Sequence, residues 1–489
     1  VTAPLAVMLV AVLGALAPAA ADAPPLGRVP AVLHVHSTLS TGDFELDELA
    51  RMAERDGIAA LLLTENYLVR IEYGLPPFRA LTRVVHEEPS VLNRGLDRYL
   101  ARVAEAQQRH PRVVIVPGVE IIPHYFWSGS PLALALHNTQ KNLLVFGVSD
   151  PAALATLPAV GNRRPPRYSW QSVVDALPAV LVVPGLALLI RKRCRRRRLG
   201  RAFVVIRQRS WCLGSVLIAL GALALARAWP LTVDRFPPWR DYGMEPYQAL
   251  IDRVERLGGA TVWSFPEAPD SGERRIGPVR VTWSTDPYPD DLLRTFRYTA
   301  FGAVYEQATR VSAPGGTWDR LLRQYAAGER SRPAWAVGES GFHGLSAGKR
   351  LGAVQTVFLA PEASAAAVLD ALKRGRLYAL RRTPELALTL GEFTVNAAGG
   401  SAVSGETLAV GRGTPLEVRV RIETSDASAE PLKATLVKNG VVVEAWATTA
   451  PLRAVYRDVF DGTPLVFRVD VHGRMPHHLV TNPVFVRPS

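Results

Sequence analysis

The chain has 489 residues, 48% of them hydrophobic, which is ample for packed cores, and a formal net charge of +13. Residues 191–209 (RKRCRRRRLGRAFVVIRQR) hold ten Arg or Lys and no acid, so removing those ten charges from +13 leaves +3. The basicity is local; such a run could be a nucleic-acid patch, but the uncharged apolar segments that flank it argue otherwise, and the only cysteines, Cys194 and Cys212, fall in or beside the same run, which excludes a disulfide framework elsewhere.

In chain order, residues 3–21 form an apolar, Ala-rich stretch ending in small residues. It reads as a signal peptide over 1–21, cleaved after Ala21 or Ala23, or as an uncleaved anchor. Either way the following part is expected to be exported. Short apolar runs then alternate with polar turns, and four of those turns carry metal-capable side chains: Leu33-His-Val-His-Ser37, Thr64-Glu-Asn66, Pro117-Gly-Val-Glu120 and Gly338-Glu-Ser-Gly-Phe-His343. Placing such groups at the C-terminal ends of strands is how a βα barrel builds an active site. On a strand, His34 and His36 point to the same face and can share one cation. Taken alone, His-x-His reads equally well as two polar residues leaving a strand.

Residues 176–190 (ALPAVLVVPGLALLI) and 211–226 (WCLGSVLIALGALALA) carry no charge and flank the Arg-rich run. Extended to Trp170 and Trp229, both approach the roughly 20 residues that a membrane-spanning helix needs. Tyr168, Trp170, Trp211 and Trp229 fit the interfaces, so residues 171–230 read as a transmembrane hairpin with a cytoplasmic Arg-rich turn. Two spans return the chain to the side it left, which lets His34, His36 and Glu120 meet His343. The linker from Val148 to the first span is only about 20 residues long. Leaving the C-terminal end of its strand, it is expected to hold the site face close to the bilayer. A helix is predicted over Pro246–Leu257 and another over Pro361–Tyr378. Beyond residue 380, alternating runs at 416–422, 434–437 and 465–471, with the hairpin signal Asn439-Gly440, predict a β-sandwich. His86, His110, His472, His477 and His478 fall in polar, loop-like stretches and read as solvated.

The order His-x-His-Ser, Thr-x-x, Pro-Gly-Val-Glu and Gly-x-Ser-x-x-His resembles the PHP (polymerase and histidinol phosphatase) superfamily over roughly residues 29–380, the insert apart. The resemblance implies a distorted seven-stranded βα barrel that holds metal ions and hydrolyses phosphoesters. Seven apolar runs match it, near 29–36, 58–64, 112–117, 142–148, 259–264, 301–306 and 333–338. It carries metal-ligand roles onto His34, His36, Glu120 and His343. Where the family has further ligands, this chain has Asn66, Asn142, Phe265 and Gly341, so a full three-metal centre is not expected. What remains suits one divalent ion, zinc, manganese or iron, with Glu65, His124 and His343 as candidates for catalysis and Asp43, His137 and Glu339 nearby.

The expected organisation is thus α/β: a signal peptide (1–21), a PHP-like barrel in two parts (22–170 and 231–380) interrupted by the transmembrane hairpin (171–230), and a β-sandwich (381–489). The expected function is that of a membrane-anchored metal-dependent hydrolase of the bacterial inner membrane, its site on the periplasmic or extracellular side. It would act on a phosphoester or lipid-linked substrate, without a nucleic-acid partner. From a different class, a non-catalytic envelope protein that keeps the barrel as a binding or structural module accounts for the four substitutions.

Overall fold

The computed structural model describes residues 26–200 and 202–489; the predicted signal peptide lies outside the described residues. Each of the seven predicted runs contains a strand, and the strands belong to two sheets. In the first, Gly27–Val35, Ala60–Leu63 and Val114–Val116 lie parallel, and Gly27–Val35 takes Val354–Ala360 antiparallel on its other edge. Their apolar runs are unbroken because both faces are covered, and Ala60–Leu63 is buried at every position. Past Leu63 and Val116 the chain crosses to the second sheet, ordered Glu65–Asn66, Gly118–Ile121, Leu143–Phe146, Ala260–Trp263, Ala300–Val304 and Trp335–Gly338. Pro117, which has no N–H for a ladder, marks one crossing.

Beyond Gly338 the chain returns to the first strand. Ser340 N donates to Leu33 O (3.0 Å), Phe342 N to His34 O (2.9 Å), and His36 N to Phe342 O (2.9 Å). The polar residues that end the first and last strands are thereby brought together. Amphipathic helices cover the sheets. Glu245–Arg256, close to its predicted span, buries Tyr247, Leu250, Ile251 and Val254, the i, i+3, i+4, i+7 stripe of a helix with one apolar face. The helix predicted over Pro361–Tyr378 is shorter, Ala365–Arg374. Ser364 caps its start, Gly375 at φ +72° ends it, and Tyr378 belongs to the strand Leu377–Arg381.

The hairpin contains two helical segments long and apolar enough to cross a membrane, Trp170–Ile190 and Trp211–Ala228. They approach closely through glycines: a Cβ on Gly185 would stand 2.9 Å from Gly214 O, and one on Gly221 would stand 2.8 Å from Val182 Cγ2. Val173, Leu177, Val183, Leu186, Leu213 and Leu220 point outward and are exposed. The Arg-rich turn is longer than a simple reversal, because Arg193–Leu199 pairs antiparallel with Ala202–Gln208.

The expectation that the linker leaves from the site end is corrected by the strand directions. Leu143–Phe146 runs antiparallel to both neighbours, so its C-terminus points away from the end that carries Glu120. The linker then runs back. Tyr67 Oη donates to Leu154 O (2.7 Å), Val160 N to Ile122 O (3.2 Å), and Val233 N to Arg167 O (3.0 Å). Arg83 and Arg227 each donate to the other's carbonyl oxygen, at 3.2 and 2.8 Å, and Gln171 Nε2 donates to Pro77 O (3.2 Å). The base of the hairpin is therefore fixed to segments that follow Asn66 and Ile121.

From Leu388 onward the chain is β-rich. Gly400–Val403, Leu388–Ala397, Pro415–Thr424 and Leu452–Val459 form one sheet. Its inner residues, such as Val395, Val418 and Val420, share a core with Leu436, Phe467 and Val469 of the facing strands. Asn439-Gly440 makes the predicted turn, with both φ positive (+51° and +86°). The facing strands are continuous with the first half, since His478–Thr481 pairs with Leu377–Arg381. Across the same seam, Arg468 donates to both carboxylate oxygens of Asp319 at 2.7 Å, with both side chains buried. His477 and His478, expected to be solvated, are 7% and 9% exposed, because this pairing covers them.

Candidate metal centre

The first two strands slip register between Leu33 and Val35, and His34 sits in that bulge at φ +72°. A left-handed conformation is costly for a residue with a side chain and marks a position that its surroundings enforce. The simple alternation expected of His34 and His36 is broken, yet the two rings still converge, with their Nε2 atoms 3.1 Å apart. Glu120, in register with Asn66 and Leu144, faces them from the other sheet. Its Oε1 is 3.5 Å from His34 Nε2 and its Oε2 is 3.4 Å from His36 Nε2. Ligand atoms of these three residues all lie within 4.8 Å of one another.

Behind them stands a buried support. His34 Nδ1 is 2.6 Å from Oε1 of Glu339, whose carboxylate also accepts from Ser264 Oγ (2.5 Å) and Phe265 N (2.9 Å). An imidazole held by a carboxylate through one nitrogen presents the other in a fixed direction, as metal-bound histidines do. Gly302 makes room for this carboxylate, since a Cβ there would collide with Oε2 of Glu339. On the other flank, His36 Nδ1 is 3.4 Å from Ser40 Oγ. Ser40 and Ser37 donate to Glu65, with Ser37 contributing both its N–H (2.9 Å) and its hydroxyl (2.6 Å). Asn142 Nδ2 donates to Glu120 Oε1 at 2.7 Å.

The electrostatics favour a positive charge at the point of convergence. Burial opposes a charge on His34, but Glu120 and Glu339 outweigh it and raise its pKa to about 9. Burial likewise works against an ionised Glu120, yet His34 and His36 hold it well below the usual carboxylate range. Burial lowers His36. Two imidazole nitrogens and a carboxylate thus face one another, with the second carboxylate behind them, which is a donor set that suits a divalent transition metal. The buried Oδ1 of Asn142 and Oγ of Ser340 have no hydrogen-bond partner. Asn142 touches Glu120 through its Nδ2, so one of these unpaired atoms belongs to a side chain in contact with the group.

The other predicted residues divide. The ring of His343 stacks on His36, with centroids 3.9 Å apart at 10°, and its Nδ1 is 3.2 Å from Thr41 Oγ1. Burial, with His36 and His34 adding to it, lowers its pKa to about 4, so it is neutral at physiological pH. Glu65 is raised to about 7 by burial, against the pull of Ser37 and Ser40. His124 has other company: its Nε2 is 3.1 Å from Arg240 O and its ring meets Tyr242 edge-on. His137 contacts Ser128 Oγ (2.8 Å), and Asp43 accepts from Ser346 Oγ (2.6 Å). Phe265 stacks on His34 at 5.2 Å. The serines that hold the two glutamates had no local signal, because Ser264 lies 75 residues from Glu339 and Ser40 lies 25 from Glu65.

No protein-family model matches the chain, and no curated protein matches it. Among solved structures it is similar to a two-domain protein containing a predicted PHP-like metal-dependent phosphoesterase from Bacteroides vulgatus, at 11% identity over 93% of this chain and 95% of that one, with a TM-score of 0.35. It is also similar to a protein assigned as a metal-dependent phosphoesterase from Bifidobacterium adolescentis, at 13% identity over 66% and 90% of the two chains, with a TM-score of 0.29. An amidohydrolase from Chromobacterium violaceum matches at 13% identity over 64% and 87%, with a TM-score of 0.26. With identities and scores this low, the roles of individual residues rest on the geometry of this chain.

Proposed function

We propose that this protein is a membrane-anchored, metal-dependent phosphoesterase of the PHP type. The observation that carries the reading is the convergence of His34 Nε2, His36 Nε2 and both oxygens of Glu120 on one point, with Glu339 fixing His34 from behind. The two linked sheets are read as a distorted barrel of seven strands whose polar end is the site. His34, His36 and Glu120 would hold one divalent ion, which lowers the pKa of a bound water towards neutrality and polarises a phosphoryl oxygen. Glu339 keeps His34 in one tautomer. Glu65, through Ser40, sets the orientation of His36 and acts as a positioning residue. His343, neutral and only partly buried beside His36, is placed to join the ligands or to take a proton from an incoming group. His124, turned to Arg240, has no part in this reading.

The fixed linker supports a substrate that is itself membrane-associated, such as a lipid phosphate, on the periplasmic or extracellular side. Hydrolysis of a nitrophenyl phosphoester by the full-length protein in detergent should disappear in His36→Ala together with ion binding at this centre; hydrolysis that persists without it would overturn the reading. Replacing residues 171–230 by a Gly/Ser loop should lower turnover of a phosphoester embedded in vesicles while sparing the soluble one. If the replacement leaves turnover of both substrates equally unaffected, the hairpin is merely a tether.

A further inference from the structure

The hairpin that zips the C-terminal region to the first half carries a second cluster. His472, at the end of Leu465–His472, lies directly across from His478, at the start of His478–Thr481. Their rings stack with centroids 4.2 Å apart at 10°. Asp470, two residues before His472 and so on the same strand face, sets its Oδ1 2.9 Å from His478 Nε2 and 3.2 Å from His472 Nε2. Ligand atoms of the three lie within 4.8 Å of one another. Tetrahedral bonds of about 2.0–2.1 Å to nitrogen and oxygen put neighbouring ligand atoms roughly 3.3–3.4 Å apart, close to these separations.

Two features favour an ion over a hydrogen-bonded trio. Both imidazoles turn the same nitrogen, Nε2, to a single carboxylate oxygen, and their rings lie nearly parallel on one side of it. The cluster also has one open side: the side chains of Asp470 and His478 are 8% and 11% exposed, but that of His472 is 56% exposed, leaving room for entry and for water. His477 belongs to a separate arrangement, with its Nδ1 3.3 Å from Glu430 Oε1.

We propose that Asp470, His472 and His478 form a second divalent-metal site, selective for ions that accept imidazole nitrogen, zinc over calcium or magnesium. Its position gives it a purpose. His478 pairs with Arg381, whose guanidinium donates to Pro476 O (2.7 Å) and Glu306 O (2.7 Å). An ion there fastens the 473–477 loop and the strand that joins the two halves of the protein. The site shares no residue with the His34 centre.

The test is zinc stoichiometry by equilibrium dialysis and elemental analysis on the full-length protein in detergent, with zinc held at a low buffered concentration. Two ions per chain are expected for the wild type, one for His472→Ala, one for His36→Ala and none for the double variant. Zinc should also raise the unfolding temperature of His36→Ala and should fail to do so once His472 is replaced as well. His472 is more than half exposed, so its truncation leaves the fold standing, and Asp470→Asn, close to isosteric, provides a second variant. If His472→Ala and Asp470→Asn bind as many ions as the wild type, or if calcium competes with zinc on equal terms, the proposal is overturned.

Discussion

Glu339→Gln is the sharpest probe of the His34 centre, because it leaves shape nearly unchanged and removes one charge. The Glu339 carboxylate is fully buried and accepts from His34 Nδ1, Ser264 Oγ and Phe265 N at 2.6, 2.5 and 2.9 Å. A glutamine oxygen can still accept from one or two of these donors. Its amide N–H groups, however, must then face Phe265 N–H or Ser264, and His34 loses the anionic partner that fixes its tautomer and makes it a stronger ligand. Substitutions of this kind typically weaken metal binding about 10–100-fold, which is roughly 1.4–2.7 kcal/mol. Competition against a chromophoric chelator, in the His472→Ala background so that one site is read, should show that loss and a parallel fall in phosphoester turnover. Affinity within twofold of the parent would refute the view that Glu339 orients a metal ligand, and would leave it as a satisfied core carboxylate.

Asp319→Ala should destabilise the protein by about 3–5 kcal/mol, since it strands the buried Arg468 without its partner, and a replacement of both residues by apolar ones should recover most of that loss in the thermal midpoint. Asp234, raised to about 6 by burial against the pull of Arg163, holds its proton in the folded state over a range where the unfolded chain, near 3.8, has lost it. Stability should therefore fall as pH rises from about 4 to 6, by on the order of 2–3 kcal/mol. Asp234→Asn should flatten that fall and unfold at a higher temperature than the wild type at pH 7.5, and a lower midpoint at that pH would contradict the sign. For topology, an impermeant thiol reagent applied to spheroplasts should modify a cysteine engineered near Gly411 and leave Cys194 unmodified; labelling of Cys194 would invert the hairpin.

Much of the candidate site was legible because its polar residues stand at strand ends. His34, His36 and Glu120 follow short apolar runs, and the polar turn after Gly338 does come back to His34. The bulge at His34 was not legible, because nothing in Leu33-His-Val-His-Ser37 distinguishes a left-handed histidine from an extended one. The supporting serines were hidden for a different reason, since their partners are distant in sequence and a serine after a strand is commonplace. His477 and His478 misled in the opposite sense. Gly473 to Pro476 reads as a polar loop, and only the pairing of His478–Thr481 with Leu377–Arg381, a tertiary event, buries the residues beyond that loop.

The linker departs from the expected direction and is then brought back. Parallel βα geometry predicts that the segment after Phe146 emerges at the site end, but one reversed strand sends it to the other. No periodicity records strand direction, so this error could not be corrected from the sequence. The chain is nevertheless brought back, because Tyr67, Ile122 and Glu72 offer partners to Leu154, Val160 and Arg163 beside the strands that carry Asn66 and Glu120. The hairpin base then rests on residues 77–83, with Asp175 accepting from Ala80 N at 3.4 Å and the carbonyls of Arg83 and Arg227 each capped by the other's guanidinium. A tether of about 20 free residues would let the site sample many orientations relative to a bilayer. This one is held at several points along its length, so if the two apolar helices cross a membrane, the end of the sheets bearing His34 and Glu120 has a fixed relation to that surface.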